Sequence, residues 1–132
     1  MDGLGLGLEK ILPIFERDPR ILALYLLGSA HSGRMRKDSD VDLAVMPEPG
    51  AELSGVERGD LAAQAALELG RDVDLGEAST RNLVYAREAI LNGRRLFARD
   101  LVRTELREAT LLGLYARFHD ERREVADAYR IG

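Results

Sequence analysis

The sequence predicts an α/β domain: a small sheet of about four strands flanked by helices, with a long helix at the C-terminal end. Three observations carry that expectation. Short apolar runs of strand length alternate with stretches of helical period, clusters of Gly and Pro separate them, and everything after residue 99 keeps a helical pattern. A chain of 132 residues has the size of one ordinary domain and buries roughly 70% of the surface its unfolded form exposes. A single unit over 1–132 is expected, with 1–98 as its core and 99–132 as a helical segment.

Taken in order, Leu4, Leu8, Ile11, Leu12 and Phe15 fall at helical spacing and predict a first helix from about residue 3 to Arg17, which Pro13 either kinks or shortens. After the Asp18-Pro19 turn, residues 21–27 read as a buried strand that delivers Gly28 at its end, with Tyr25 as a core residue. A second strand over 41–46 stops at Pro47-Glu48-Pro49-Gly50. Ser54-x-x-Glu57 has the form of a capping box and starts a helix running to Gly70. Residues 71–75 predict a third strand, Ser79 or Thr80 a cap for a helix ending at Asn92-Gly93, and 94–98 a short last strand. In the final helix Leu101, Leu106, Ala109, Leu112, Tyr115 and Phe118 form the expected apolar stripe. Past Phe118 the charges alternate in sign, which gives a solvated helix end or a docking surface.

The chemistry concentrates between Gly28 and Val45, GSAHSGRMRKDSDVDLAV. In an extended strand Asp40 and Asp42 point to the same side, their Cα atoms about 7 Å apart, and two such carboxylates repel unless a cation joins them. Mg²⁺, which prefers oxygen ligands and substrate phosphates, suits that pair. Gly28 permits close backbone approach, Ser29 offers a hydroxyl, and a turn of successive N–H groups makes a concavity for anions. Arg34, Arg36 and Lys37 stand beside Asp38, Asp40 and Asp42, a mixture suited to a metal–nucleotide complex. Two simpler readings fail. Gly28 and Gly33 have the spacing of a GxxxxGK[ST] phosphate loop, but Arg34 and Met35 replace its Lys and Ser/Thr. Asp38, Asp40 and Asp42 have the spacing that opens a calcium loop, but Leu43 replaces the Gly that such a loop needs. His31 reads as a loop residue rather than a general base.

GSxxxG at Gly28, Ser29 and Gly33, followed by SDVDL at Ser39, Asp40, Asp42 and Leu43, resembles the signature of the polymerase-beta-like nucleotidyltransferase superfamily. A chain this short is most similar to the minimal nucleotidyltransferases (MNT) encoded beside HEPN-domain proteins. The resemblance implies a mixed sheet and two Mg²⁺ ions held by Asp40, Asp42 and a third acid from the next strand. Matching RDVDLGEAS to the family's third motif makes that acid Asp74, with Asp72 in reserve and Glu77 as an auxiliary acid. It further implies nucleotide contacts from Gly28, Ser29, Gly33, Arg34 and Ser39, with ATP as substrate. The implied activity is transfer of AMP to a hydroxyl, a tyrosine, of a HEPN toxin, which makes the chain an antitoxin. Two other readings stay open: an antitoxin that only binds its partner, and a nucleotidyltransferase for a small molecule such as an aminoglycoside, with dimerisation completing its pocket.

A formal charge of −4 argues against an extended nucleic-acid track. With no cysteine, disulfides and thiolate metal sites are excluded. The N-terminal MDGLGLGLEK lacks the plan of a secretory signal and the apolar run 21–27 is too short to span a bilayer, so a cytoplasmic protein is expected.

Overall fold

The computed structural model of the protein describes residues 7–28 and 40–130. A 3₁₀ turn, Leu8–Lys10, leads into a one-turn helix, α1 (Leu12–Glu16), in place of the single helix expected to reach Arg17. The break falls where Pro13 enters the first turn of α1, the position at which a missing N–H costs nothing. Strand β1 (Ile21–Leu27) is buried along its whole length, and β2 (Val41–Pro47) returns beside it. Helix α2 (Gly55–Leu69) begins with the reciprocal Ser54/Glu57 capping box and ends on Gly70, whose φ of 66° is the left-handed conformation a helix C-terminus favours.

Strand β3 (Val73–Glu77) lies two residues later than the spacing predicts, because 71–72 act as a bridge: the Val41 N–H donates to the Asp72 carbonyl at 2.9 Å before pairing begins. Helix α3 (Leu83–Asn92) is capped by Asn82, whose side chain accepts from the Tyr85 N–H, and not by Ser79 or Thr80. Strand β4 (Arg94–Ala98) and the 30-residue helix α4 (Leu101–Arg130) complete the chain.

The sheet order is β3-β2-β1-β4. β1 runs antiparallel to β2 and to β4, while β2 and β3 are parallel, so the sheet is mixed. On one face Leu24, Leu26, Leu43, Val45 and Leu75 meet Ile14, Phe15, Leu61 and Ala65 of α1 and α2. On the other, Tyr25, Leu27, Ala44 and Met46 meet Ala86, Ala89 and Leu111 of α3 and α4. Fully burying a Leu- or Phe-sized side chain contributes roughly 1.5–3 kcal/mol, so these two layers fix the strands from both sides.

Helix α4 uses only part of the expected stripe, Leu112 and Tyr115. Leu101 and Leu106 are exposed, and the face turned inward carries buried Thr104 and Leu111, with Glu108 and Tyr115 half-buried between and beyond them. The cause is polar. Tyr25 is buried in the sheet and its hydroxyl needs an acceptor; Glu108 supplies it at 2.6 Å and also pairs with Arg95. Satisfying that hydroxyl turns Glu108 inward and carries Leu106 out to solvent.

Candidate active site

The parallel pairing of β2 and β3 sets Asp42 directly opposite Asp74. Adjacent strands lie about 4.8 Å apart, so the two carboxylates stand side by side on the sheet face that α3 covers. On its other side Asp42 is opposite Leu27, the last residue of β1. The chain then turns at Gly28 with φ of 69°, and a Cβ there would lie 3.1 Å from Asp42 Oδ2. Glycine is required by both facts: the left-handed backbone and the closeness of the carboxylate. Asp40 is exposed at the entry to β2, two residues before Asp42.

Among the described residues neither Asp42 nor Asp74 takes part in a salt bridge. Burial, followed by the charges of Asp74 and Asp40, raises the Asp42 pKa above its ordinary value. Asp72 is exposed ahead of β3, and its backbone carbonyl, not its side chain, is tied to β2.

Tyr85 closes the inner end of this pair and is the residue that sequence reasoning missed. Its ring lies over Gly76, where a Cβ would come within 2.2 Å of the phenol oxygen, and its hydroxyl donates to the Leu43 carbonyl at 3.3 Å. Burial and the charges of Asp74 and Asp42 push the phenol up to about 12, so it remains a neutral donor at physiological pH. The signal available in the sequence was Gly76 itself, an interior strand glycine that marks a close approach.

Glu77 is not an auxiliary acid of this site. It sits three residues beyond Asp74, at the other end of β3, and its side chain is turned to the opposite face. It is buried, and accepts from the Leu53 N–H at 2.8 Å, from the Ser79 hydroxyl at 3.1 Å and from Arg81 at 2.5 and 2.9 Å. Ser29, His31, Gly33, Arg34, Arg36, Lys37, Asp38 and Ser39 lie outside the described residues.

Among the described residues no group of three or more His, Cys, Asp or Glu side chains is gathered closely enough to hold a metal ion as it stands. The donors present nevertheless fit a hard divalent cation. Asp42 and Asp74 offer oxygen donors held in register, and the Asp42 pKa, raised first by burial and then by the charges of Asp74 and Asp40, marks a place that a cation would suit.

A mixed four-stranded sheet carrying paired acids on adjacent strands, beside a left-handed glycine turn, is the build of a nucleotidyltransferase. The comparisons agree. Residues 9–101 match the family described as Polymerase beta, Nucleotidyltransferase, and the chain belongs to that family. It is 28% identical over 120 residues to the protein adenylyltransferase MntA of Shewanella oneidensis strain MR-1, covering 90% of this chain and 84% of that one. A crystal structure of a toxin–antitoxin with AMP-PNP contains a chain with a TM-score of 0.79 and 26% identity, covering 95% of this chain and 99% of that one. A tri-AMPylated Shewanella oneidensis HEPN toxin in complex with its MNT antitoxin contains a chain of the same fold, with a TM-score of 0.70, 24% identity and coverage of 98% and 99%. Within its family the chain is thus of the minimal, MNT type. Among the described residues no helix is long and apolar enough to cross a membrane.

Proposed function

We propose that this chain transfers AMP from ATP to a tyrosine hydroxyl of a HEPN-domain toxin and thereby acts as its antitoxin. The observation that carries the reading is the in-register pairing of Asp42 with Asp74 beside the Gly28 turn. Similarity over 90% of the chain to an enzyme named for protein adenylyl transfer, and over 95% to a chain crystallised with AMP-PNP, supports ATP as donor and a protein as acceptor. The HEPN identity of that acceptor rests on the complex whose antitoxin shares this fold.

In the reaction the acceptor oxygen bonds to the α-phosphorus, the bond from that phosphorus to the bridging oxygen of the β-phosphate breaks, pyrophosphate leaves and the hydroxyl proton passes to water. Asp40 and Asp42 would hold two Mg²⁺ ions and Asp74 the one on the acceptor side. Bound there, Mg²⁺ supplies neutralisation of the phosphate charge and a lower pKa for the attacking hydroxyl. The chain's own part is positional. The β2–β3 register holds the acids abreast, and Gly28 leaves room over Asp42 for a phosphate to approach. Ser29, Gly33, Arg34 and Ser39 complete the nucleotide contacts in this reading, with Arg34 offsetting charge on the leaving pyrophosphate.

The test is incubation of the purified chain with α-labelled ATP, Mg²⁺ and its HEPN partner. Label on a partner tyrosine, lost with Asp42→Asn or Asp74→Asn, is the expected result. Inhibition of the partner that survives both substitutions without label transfer would replace this reading with a binding-only antitoxin, and label on an added aminoglycoside with a small-molecule enzyme.

A further inference from the structure

Helix α4 outruns the body it packs on. From Ala116 to Ala128 every residue is exposed. Beside these thirteen helical residues only Val84, at the start of α3, shares a groove among the described residues, and helices of about 12–15 residues need packing to persist in water. Phe118, Glu121, Arg122 and Val125, at i, i+3, i+4 and i+7, share one stripe. They line an open groove of about 440 Å³, with Phe118 41% and Val125 56% exposed. The stripe continues the side on which Leu111 is buried earlier in the same helix, one and two heptads upstream of Phe118 and Val125.

The order of charges along the stripe says what covers it. Read outward from the midpoint between Glu121 and Arg122, the residues of the stripe pair as acid with base and apolar with apolar: Glu121 with Arg122 and Phe118 with Val125. A second identical helix laid antiparallel across that midpoint sets Glu121 against Arg122 and Phe118 against Val125 of the other copy, and the two-fold repeats each contact. A parallel partner would set Glu121 on Glu121 and Arg122 on Arg122. Among the described residues none of Asp120, Glu121, Arg122, Arg123 and Glu124 forms an ion pair within its own chain, and the Arg122 guanidinium lies 5.5 Å over the Phe118 ring.

We propose that the end of α4 is an isologous, antiparallel self-association surface, and that its occupant is the same helix of a second copy of this chain. The nucleotidyltransferase bodies then sit at opposite ends of the helix pair. Residues 118–125 span about 12 Å of helix, so the contact is at the small end of specific interfaces and the association is weak and concentration-dependent.

Sedimentation velocity of the full chain alone, from low micromolar to several hundred micromolar, tests the proposal. The wild type should pass from monomer to dimer. Glu121→Arg sets Arg against Arg122 of the second copy and Arg122→Glu sets Glu against Glu121, so each should weaken the dimer by about tenfold or more. The double variant Glu121→Arg/Arg122→Glu restores opposite charges across the axis and should recover most of the lost affinity, while circular dichroism verifies that all three keep the helix. A chain that stays monomeric at every concentration overturns the proposal, as do single variants without effect or a double variant that fails to recover. A chain that is monomeric alone but whose partner protein loses affinity for the single variants assigns the surface to that partner instead, and overturns it equally.

Discussion

The β2–β3 pair carries acids at both ends, and the two ends treat them in opposite ways. At one end Asp42 and Asp74 stand abreast with no ion-pair partner among the described residues, and Asp42 is pushed toward its neutral form. At the other, opposite Val45, Glu77 is buried deeper and yet fully answered by Leu53, Ser79 and Arg81. A buried carboxylate with its hydrogen bonds met is a fastening; a half-buried carboxylate beside an exposed one, with no partner among the described residues, is a repulsion that folding alone does not explain. The same strand pair thus separates a structural acid from the acids proposed to be catalytic over three residues.

Substitutions at the two ends should therefore part stability from activity. The largest effect is expected at the open end: Asp42→Asn or Asp74→Asn should lower nucleotidyl transfer by about 10²–10³-fold or more, read as label incorporated per minute, while the protein stays folded. Glu77→Ala should do the reverse. It leaves the Leu53 N–H and the Ser79 hydroxyl without their acceptor, and chemical denaturation should record a loss of about 2–3 kcal/mol with activity per folded molecule retained.

Gly76→Ala probes the wall between the ends. Its Cβ would lie 2.2 Å from the Tyr85 hydroxyl, and overpacking of that kind costs about 1–3 kcal/mol. Combining it with Tyr85→Ala should recover part of the loss, a coupling visible in a double-mutant cycle. A smaller effect is expected far from the site. Tyr25→Phe removes a 2.6 Å hydrogen bond to Glu108 and should cost about 1.5 kcal/mol without altering transfer.

The smallest effect is in pH. The folded-state pKa of Asp42 lies above the ordinary 3.8, so between the two values the folded protein binds more protons than the unfolded, and this group makes stability fall as pH rises through that window. Asp18, held low chiefly by its hydrogen bond from Arg20, works the other way: its contribution is present above the unfolded pKa and is lost as pH falls toward the folded one. Asp42→Asn should remove the first component and leave the second, so its melting temperature should fall more steeply than that of the wild type on acidification.

Much of this arrangement could be read from the chain. The strands over 21–27 and 94–98, the Ser54/Glu57 box and the Gly70 cap each depend on neighbours within a few residues, and the structure has them where local rules put them. The beginning of β3 and the inward face of α4 depend on distant partners. The first is set by pairing with β2, the second by the hydroxyl of Tyr25, 83 residues away from Glu108. Asp42 and Asp74 were visible as residues of strands, but their direct opposition is a fact of register. Tyr85 was hidden for the same reason, since only the close passage of α3 over Gly76 gives it a role.

In the proposed site Asp42 and Asp74 are held together at a cost to the fold and for the sake of a cation. Thermal unfolding of the wild type and Asp42→Asn, each with and without Mg²⁺ at neutral pH, examines that directly. Wild type should melt lower than Asp42→Asn without the ion and rise when it is added, while the variant should respond little. An Asp42→Asn protein that melts below the wild type, with both shifted equally by Mg²⁺, would contradict it.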